Sequence, residues 1–442
     1  MTRLAGARAL LLALAALAAA TPALAAPRDP AEGRMVQTVR DEHERHVKLL
    51  EDLVKVNSGT LNLAGVERVG RLMRAELEPL GFTVRWVPMG ATKRAGHLIA
   101  EHRGYGRGKR MLLIGHLDTV FEPDSPFQGW TRRGDTVEGP GVGDMKGGLV
   151  VMVAALRAMQ AAGTLQAADI TVVLTGDEEK PGSPLALARA DLIAAGKVAD
   201  LALDFEGLAQ SGGKDIGSIA RRSANSWTIT ATARSGHSSG VCTESSGCGA
   251  VYELTRILDE FRRELPEPNL TYNVGLIVGG ASGAVNGEGS EGSATGKANV
   301  IAAQAIAVGD IRTLSNAQED RVRTRMRAIV GRHLPRTEAK IIFDDTGYPA
   351  MAPTDGNRAL LAALNEVNRT LDLPEMATGD PAGRGAGDIA FVSSIDGLVG
   401  LGLPGRGSHA PGETADLGKL DVQAQRAALL MTRLSNTPRP RR

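Results

Sequence analysis

Hydrophobic positions along the 442-residue chain change period several times. Between Thr38 and Leu80 they recur every three or four residues: Val47, Leu50, Leu53 and Val54, then Val69, Leu72, Met73 and Leu77. That spacing gathers apolar side chains on one side of a helix and predicts two helices, broken at Asn57-Ser58-Gly59. His43 and His46 fall on the first and are expected to face solvent. Beyond Gly81 the pattern becomes short apolar runs. Segments 82–87, 111–115, 170–174 and 201–205, and a run starting at His97, read as strands. Between them LVVMVAALRAMQAAG, closed by Gly163, reads as a helix. Near-continuous apolar strands interleaved with helices predict an α/β fold.

The pattern changes near Ser218. Segment 226–233 alternates, with Trp227, Ile229 and Ala231 on one face, as in a half-buried strand. Helices are expected over 250–265 and 316–333, and strands over 273–278, 299–311 and 340–343. The Gly/Ser/Glu-rich stretch 279–296 reads as a mobile loop. After Gly347 long helical patterns return, with a helix over 355–370, an apolar strand before Gly405 and a last helix over 417–434. The reading is a smaller α+β domain inserted into a larger α/β one. The boundaries are 1–26 for a leader, 27–217 and 347–442 for the larger domain, and 218–346 for the insert.

The leader follows from Arg3 and Arg8 before an Ala/Leu run, then Ala23-Leu24-Ala25. This is a signal-peptide pattern, cut after Ala25 or Ala26, and it predicts export to a periplasmic or extracellular space. The run is short for a spanning helix and is followed by Pro27, so no membrane attachment is expected after cleavage. Aromatic residues are 3% of the chain, too few for stacking platforms, and 51 basic against 50 acidic residues give a net charge of +1. Nothing in that balance calls for nucleic acid as a partner. Cys242 and Cys248 lie close together in an export-directed chain; a local disulfide and two free thiols both remain open.

The chemistry lies where strands end. LLIGHLDTV finishes a strand with His116 and Asp118, GPGVGDMKGG carries Asp144, GDEE carries Glu178 and Glu179, Glu206 follows another strand, and His409 lies in GSHAPGE. Ligands of open α/β sheets gather beyond the carboxyl ends of strands. Imidazole and carboxylate together suit divalent zinc with a position left for water. Two ions sharing one carboxylate would need about this set. One member of the Glu pair is then free to move protons.

In this order, HLDTV, GPGVGDMKGG, GDEE, FEG, SGHSS, the segment from Asn299 to Arg312 and the late GSH resemble the M20 family of metallopeptidases, and within it the glutamate carboxypeptidase branch. The resemblance implies a di-zinc catalytic domain with a central mixed sheet flanked by helices, plus an inserted α+β dimerisation or lid domain. It implies two zinc ions per chain, with other divalent ions such as cobalt also suited. Asp144 would bridge the ions, His116 and Glu206 would complete one site, and Glu179 and His409 the other. Asp118 would orient His116, and Glu178 would be the general base. Asp204, on the same strand face, rivals Glu206, which is preferred because it stands at the strand end. His237 would serve the partner subunit's site by stabilising an oxyanion, which makes a homodimer part of the reading. Asn299, Arg312 and the backbone at Gly385 would hold a substrate carboxylate. The implied reaction is hydrolysis of the amide to a C-terminal amino acid, glutamate first, in N-acyl-glutamates, folates or small peptides. The alternative is an N-acyl amino-acid deacylase or dipeptidase. Arg221 and Arg222, the Ser-rich segment between the cysteines, and Tyr348 before Pro349 depart from the usual pattern and weaken the glutamate assignment.

Overall fold

The computed structural model describes residues 29–439 except Asp345 and Arg384. The expected leader lies outside these residues. Among them, no helix is long and apolar enough to cross a membrane.

A six-stranded mixed sheet organises the first unit. Its strand order is Thr83–Pro88, Gly96–His102, Asp169–Thr175, Arg110–His116, Leu201–Asp204 and Asp396–Val399. Each of the first three strands runs antiparallel to its neighbour, and the last four run parallel. Alternate residues of the central strand face opposite layers. Met111 and Leu113 join a core with helix Gly147–Ala161, while Leu112 and Ile114 meet Leu192, Ile389 and Val399. Both faces are covered, which is why the strand reads as an unbroken apolar run. Helix Gly147–Ala161 is buried nearly all round, enclosed by Pro30–Asp41 and Leu420–Ser435 as well as by the sheet. The α/β architecture with a mixed sheet flanked by helices is the one expected.

The second unit is a four-stranded antiparallel sheet ordered Thr271–Gly280, Gln304–Arg312, Asn225–Ala233, Thr337–Phe343. Helices Ala250–Glu264 and Asn316–Val330 cover one face and enclose a separate core around Trp227, Ile257, Phe261 and Met326. Chain enters and leaves this unit side by side. Arg221 and Met351 exchange backbone hydrogen bonds at 3.0 and 2.9 Å, and Ala224 and Tyr348 do so at 3.0 and 2.8 Å.

Three expectations are corrected. Stretch 279–296 contains a β-hairpin, Ser282–Val285 with Gly292–Thr295, whose small residues let it lie close to Val278 and Leu276 without an apolar signature of its own. The strand expected from Asn299 begins only at Gln304, and Asn299 stands in irregular chain before it. His46 is fully buried, not solvated, 3.5 Å from Glu42 on helix His43–Val54. Cys242 and Cys248 are joined in a disulfide that closes a short loop after His237.

Candidate metal centre and active site

Three parallel strands deliver the site because their ends are level. His116 pairs with Thr175 and Ile114 with Asp204, so His116, the 176–179 turn and Glu206 emerge at one edge. Asp144 comes from the turn entering helix Gly147–Ala161. That turn needs glycine twice. Gly141 holds a left-handed φ of +73°, and a Cβ on Gly148 would stand 1.8 Å from the Phe205 carbonyl oxygen. The helix start can therefore touch the strand that carries Glu206. His409 arrives from the loop before Thr414–Asp416.

Asp144 lies between the two imidazoles. Its Oδ1 is 3.2 Å from His116 Nε2 and its Oδ2 is 3.2 Å from His409 Nε2. His409 Nε2 also lies 3.0 Å from Glu179 Oε2, and His116 Nε2 lies 3.9 Å from Glu206 Oε1. The other His116 nitrogen, Nδ1, is 3.0 Å from the main-chain carbonyl of Asp118 and 3.4 Å from its carboxylate. The Asp118 carboxylate is tied down by the Thr60 hydroxyl at 2.7 Å and by the N–H groups of Glu178 and Glu179, each at 3.1 Å. Asp118 thus orients the imidazole through its backbone and sets the glutamate turn through its side chain.

Electrostatics mark the same spot. Burial works against a proton on His116, but hydrogen bonds to Asp118 and Asp144 outweigh it and raise the imidazole well above its ordinary range. Hydrogen bonds to Asp144 and Glu179 push His409 up to about 11. Burial raises Glu179 to about 7 against the pull of His409. Burial, with the nearby charges of Glu206, Glu179 and Asp388, pushes Glu178 well above the carboxylate range, although His116 draws it down. Asp204 rises to about 8 through burial and the charge of Glu206.

These residues suit divalent cations. Ligand atoms of His116, Asp144 and Glu179 lie within 4.8 Å of one another, and so do those of His116, Glu178 and Glu206. Glu179 Oε1 is buried with no hydrogen-bond partner, an unusual cost unless another group takes it up. Nitrogen and oxygen donors with carboxylates in excess match zinc or a similar ion. Geometry alone would also let Glu178 serve as a ligand.

Two groups escaped the sequence reading. Glu413, within the quoted GSHAPGE motif, accepts N–H bonds from Gly141 at 2.8 Å, Gly143 at 2.8 Å and Asp144 at 2.9 Å, and so shapes the Asp144 turn. Only its place four residues after His409 hinted at it. Lys146 is buried and donates to the Val56 carbonyl at 2.9 Å. Burial lowers its ammonium to about 7.

A cavity of about 690 Å³ opens over the centre, walled in part by Asp144, Glu178, Glu206, Arg221, Asp380 and His409. Gly385 lines it as well. Arg221 is buried, donates to the Ala386 carbonyl and lies 3.5 Å from Glu206. His237, Asn299 and Arg312 do not line this cavity. His237 and Asn299 stand on adjoining exposed chain, joined by a hydrogen bond from Ser238 N–H to the Asn299 carbonyl at 3.0 Å. Arg312 is paired with Asp310 at 3.0 Å.

Comparison with known proteins bears on the family and the fold. The family model described as peptidase family M20/M25/M40 matches residues 112–433. Carboxypeptidase G2 of Pseudomonas sp. (strain RS-16) is 28% identical over 432 residues, covering 95% of each chain. A succinyl-diaminopimelate desuccinylase of Gluconobacter oxydans is 26% identical over 85% of this chain and 93% of its own. In structure, a tripeptidase from Staphylococcus aureus superposes with a TM-score of 0.67 at 16% identity, covering 89% of this chain and 99% of that one. A dinuclear metal-binding M20 peptidase of Bacillus subtilis gives 0.62 at 17% identity, covering 90% and 99%. By the extent of the family match and the fold it shares with these structures, the chain belongs to peptidase family M20/M25/M40.

Proposed function

We propose that this protein is a di-zinc exopeptidase that hydrolyses the amide bond to a C-terminal amino acid of a small N-acyl or peptide substrate. The observation that carries the reading is Asp144, with one carboxylate oxygen toward each imidazole, and Glu178 grouped with His116 and Glu206. In the proposal His116 and Glu206 would hold one ion and His409 and Glu179 the other, with Asp144 available to both. Ions held there would polarise the scissile carbonyl and lower the pKa of water. Their charge would favour the carboxylate form of Glu178, which burial and the neighbouring acids disfavour. Glu178 then takes the proton of the attacking water and returns it to the departing amine. Asp118 keeps both His116 and the Glu178 turn in place.

Residues 218–346 act in this reading as a lid that pairs two chains. Its support is that His237 and Asn299 are exposed and stand away from their own chain's cavity. The partner subunit's His237 would donate to the oxyanion, and Asn299 and Arg312 would meet the substrate carboxylate on closure, with the backbone at Gly385. The leader would direct the chain out of the cytoplasm.

Glutamate is the first side chain to test, as in N-acyl-glutamates and folates. A second reading, N-acyl amino-acid deacylase or dipeptidase, is favoured by the acid Asp380 in the cavity wall, which would repel an acidic side chain. The deciding experiment strips the protein with chelator, restores zinc, and compares N-acyl-glutamates with acetylated amino acids and dipeptides. Zinc-dependent release of a C-terminal amino acid supports the proposal. Hydrolysis that survives complete metal removal overturns it.

A further inference from the structure

Glu178 is held by both of its own peptide groups. Its N–H donates to Asp118 Oδ1 at 3.1 Å, and its carbonyl accepts the Tyr348 hydroxyl at 2.8 Å. Behind Tyr348 stands Arg189, fully buried. Its Nη2 donates to the Tyr348 oxygen at 2.6 Å, its Nη1 to Asp177 at 2.6 Å and its Nε to Asp388 at 2.7 Å. The Thr175 hydroxyl closes the chain on the second oxygen of Asp388 at 2.6 Å. The guanidinium lies 5.6 Å from the centres of both the Tyr348 and Phe391 rings.

A buried charge network of this kind seldom adds stability over apolar packing of the same volume. Here it serves geometry. Asp177 precedes Glu178 in the turn, and Thr175 ends the strand that leads into it. Tyr348 also belongs to the paired crossing between the two sheet units, through its backbone bonds to Ala224. One residue therefore touches both the general-base peptide and the joint about which a lid would move. Neither Tyr348 nor Arg189 lines the cavity.

We propose that Tyr348, backed by Arg189, is a positioning residue for Glu178, carrying the setting of the crossing between the two units to the base. This rests on Glu178 being the general base. The hydroxyl acts on the placement of the carboxylate, so its loss lowers turnover and leaves substrate binding alone.

The test is Tyr348→Phe, which removes one oxygen and keeps the ring. With zinc restored and the fastest-cleaved amide as substrate, kcat should fall roughly tenfold, since small displacements of a reacting group are expensive. KM and metal content should not change. Thr175→Val loosens the far end of the same network and should lower kcat less. The double variant should lose less than the product of the two effects, because the residues act through one network. A wild-type kcat in Tyr348→Phe, or fully independent effects, overturns the proposal. Should Tyr348→Phe fail to fold, Thr175→Val decides: reduced kcat at constant KM supports the proposal, and unchanged kcat overturns it. Glu178→Gln separates the two readings. If that variant stays active, the base assignment fails and the proposal with it; if it is inactive while Tyr348→Phe is fully active, only the positioning role fails.

Discussion

A general base must meet the reacting proton as a carboxylate, and burial with the charges of Glu206, Glu179 and Asp388 raises Glu178 well above the ordinary carboxylate range while His116 draws it down. The base role and a ligand role for Glu178 are separable by experiment. Glu178→Gln should cut kcat by about 10²–10⁴-fold, the range for a lost general base. Metal content, measured by elemental analysis, should stay at the wild-type level. Loss of metal would instead make Glu178 a ligand, as its distance to His116 and Glu206 permits. Glu413 is a different case. It satisfies three backbone N–H groups of the Asp144 turn from a buried position. Glu413→Ala should cost on the order of 3 kcal/mol in urea unfolding. It should also weaken metal binding about 10–100-fold, since in the proposed centre it would support a ligand without being one. Unchanged metal affinity in that variant would show that Asp144 needs no such brace.

At the scale of elements, the site depends on how near helix Gly147–Ala161 comes to the strand Leu201–Asp204. Gly148 permits it, because any Cβ there would collide with the Phe205 carbonyl. Gly148→Ala must push the helix start away from that strand, and with it Asp144 from Glu206. A shift near 1 Å is worth about 100-fold in rate. The expected result is a protein about 100-fold slower whose far-ultraviolet dichroism is close to wild type. Wild-type activity would mean that the strand yields instead. The hairpin within 279–296 teaches the opposite lesson. Apart from Val285 and Thr295 its strand residues are Gly, Ser and Ala, so the sequence reads as loop. The neighbouring sheet face supplies the partner that makes it a hairpin.

For the whole molecule, two units and a buried histidine matter. Burial lowers His46 to about 4 in the folded chain, against about 6.5 when unfolded. Between those values the unfolded state binds more protons, so stability is full above about pH 6.5 and falls as pH drops toward 4. His46→Leu should flatten that limb of a plot of melting temperature against pH; an unchanged slope would assign the loss to other groups. The paired-chain reading has its own test. Glu178→Gln and His237→Ala proteins, each inactive, should regain activity when mixed and allowed to exchange subunits. Each mixed dimer then holds one site with an intact base and an intact donated histidine. No recovery would place His237 outside the partner's site.

What the sequence determined by itself was local. Apolar period marked the central strands and helix Gly147–Ala161, because burial on both faces demands continuous hydrophobic side chains. Residue type at strand ends marked His116, Asp144, Glu178, Glu179, Glu206 and His409, because few side chains bind divalent ions. Tertiary structure decided what those marks mean together. It set Asp144 between two imidazoles that lie far apart in the chain, put Glu413 under the turn, and turned the Tyr348 hydroxyl inward to Arg189 and Glu178. It also buried His46, which the sequence, offering it no acidic partner pattern, leaves facing water. Each of these rests on contacts between distant segments. A hydrogen bond or a burial of that kind leaves no periodicity in the chain, so only the folded molecule displays it.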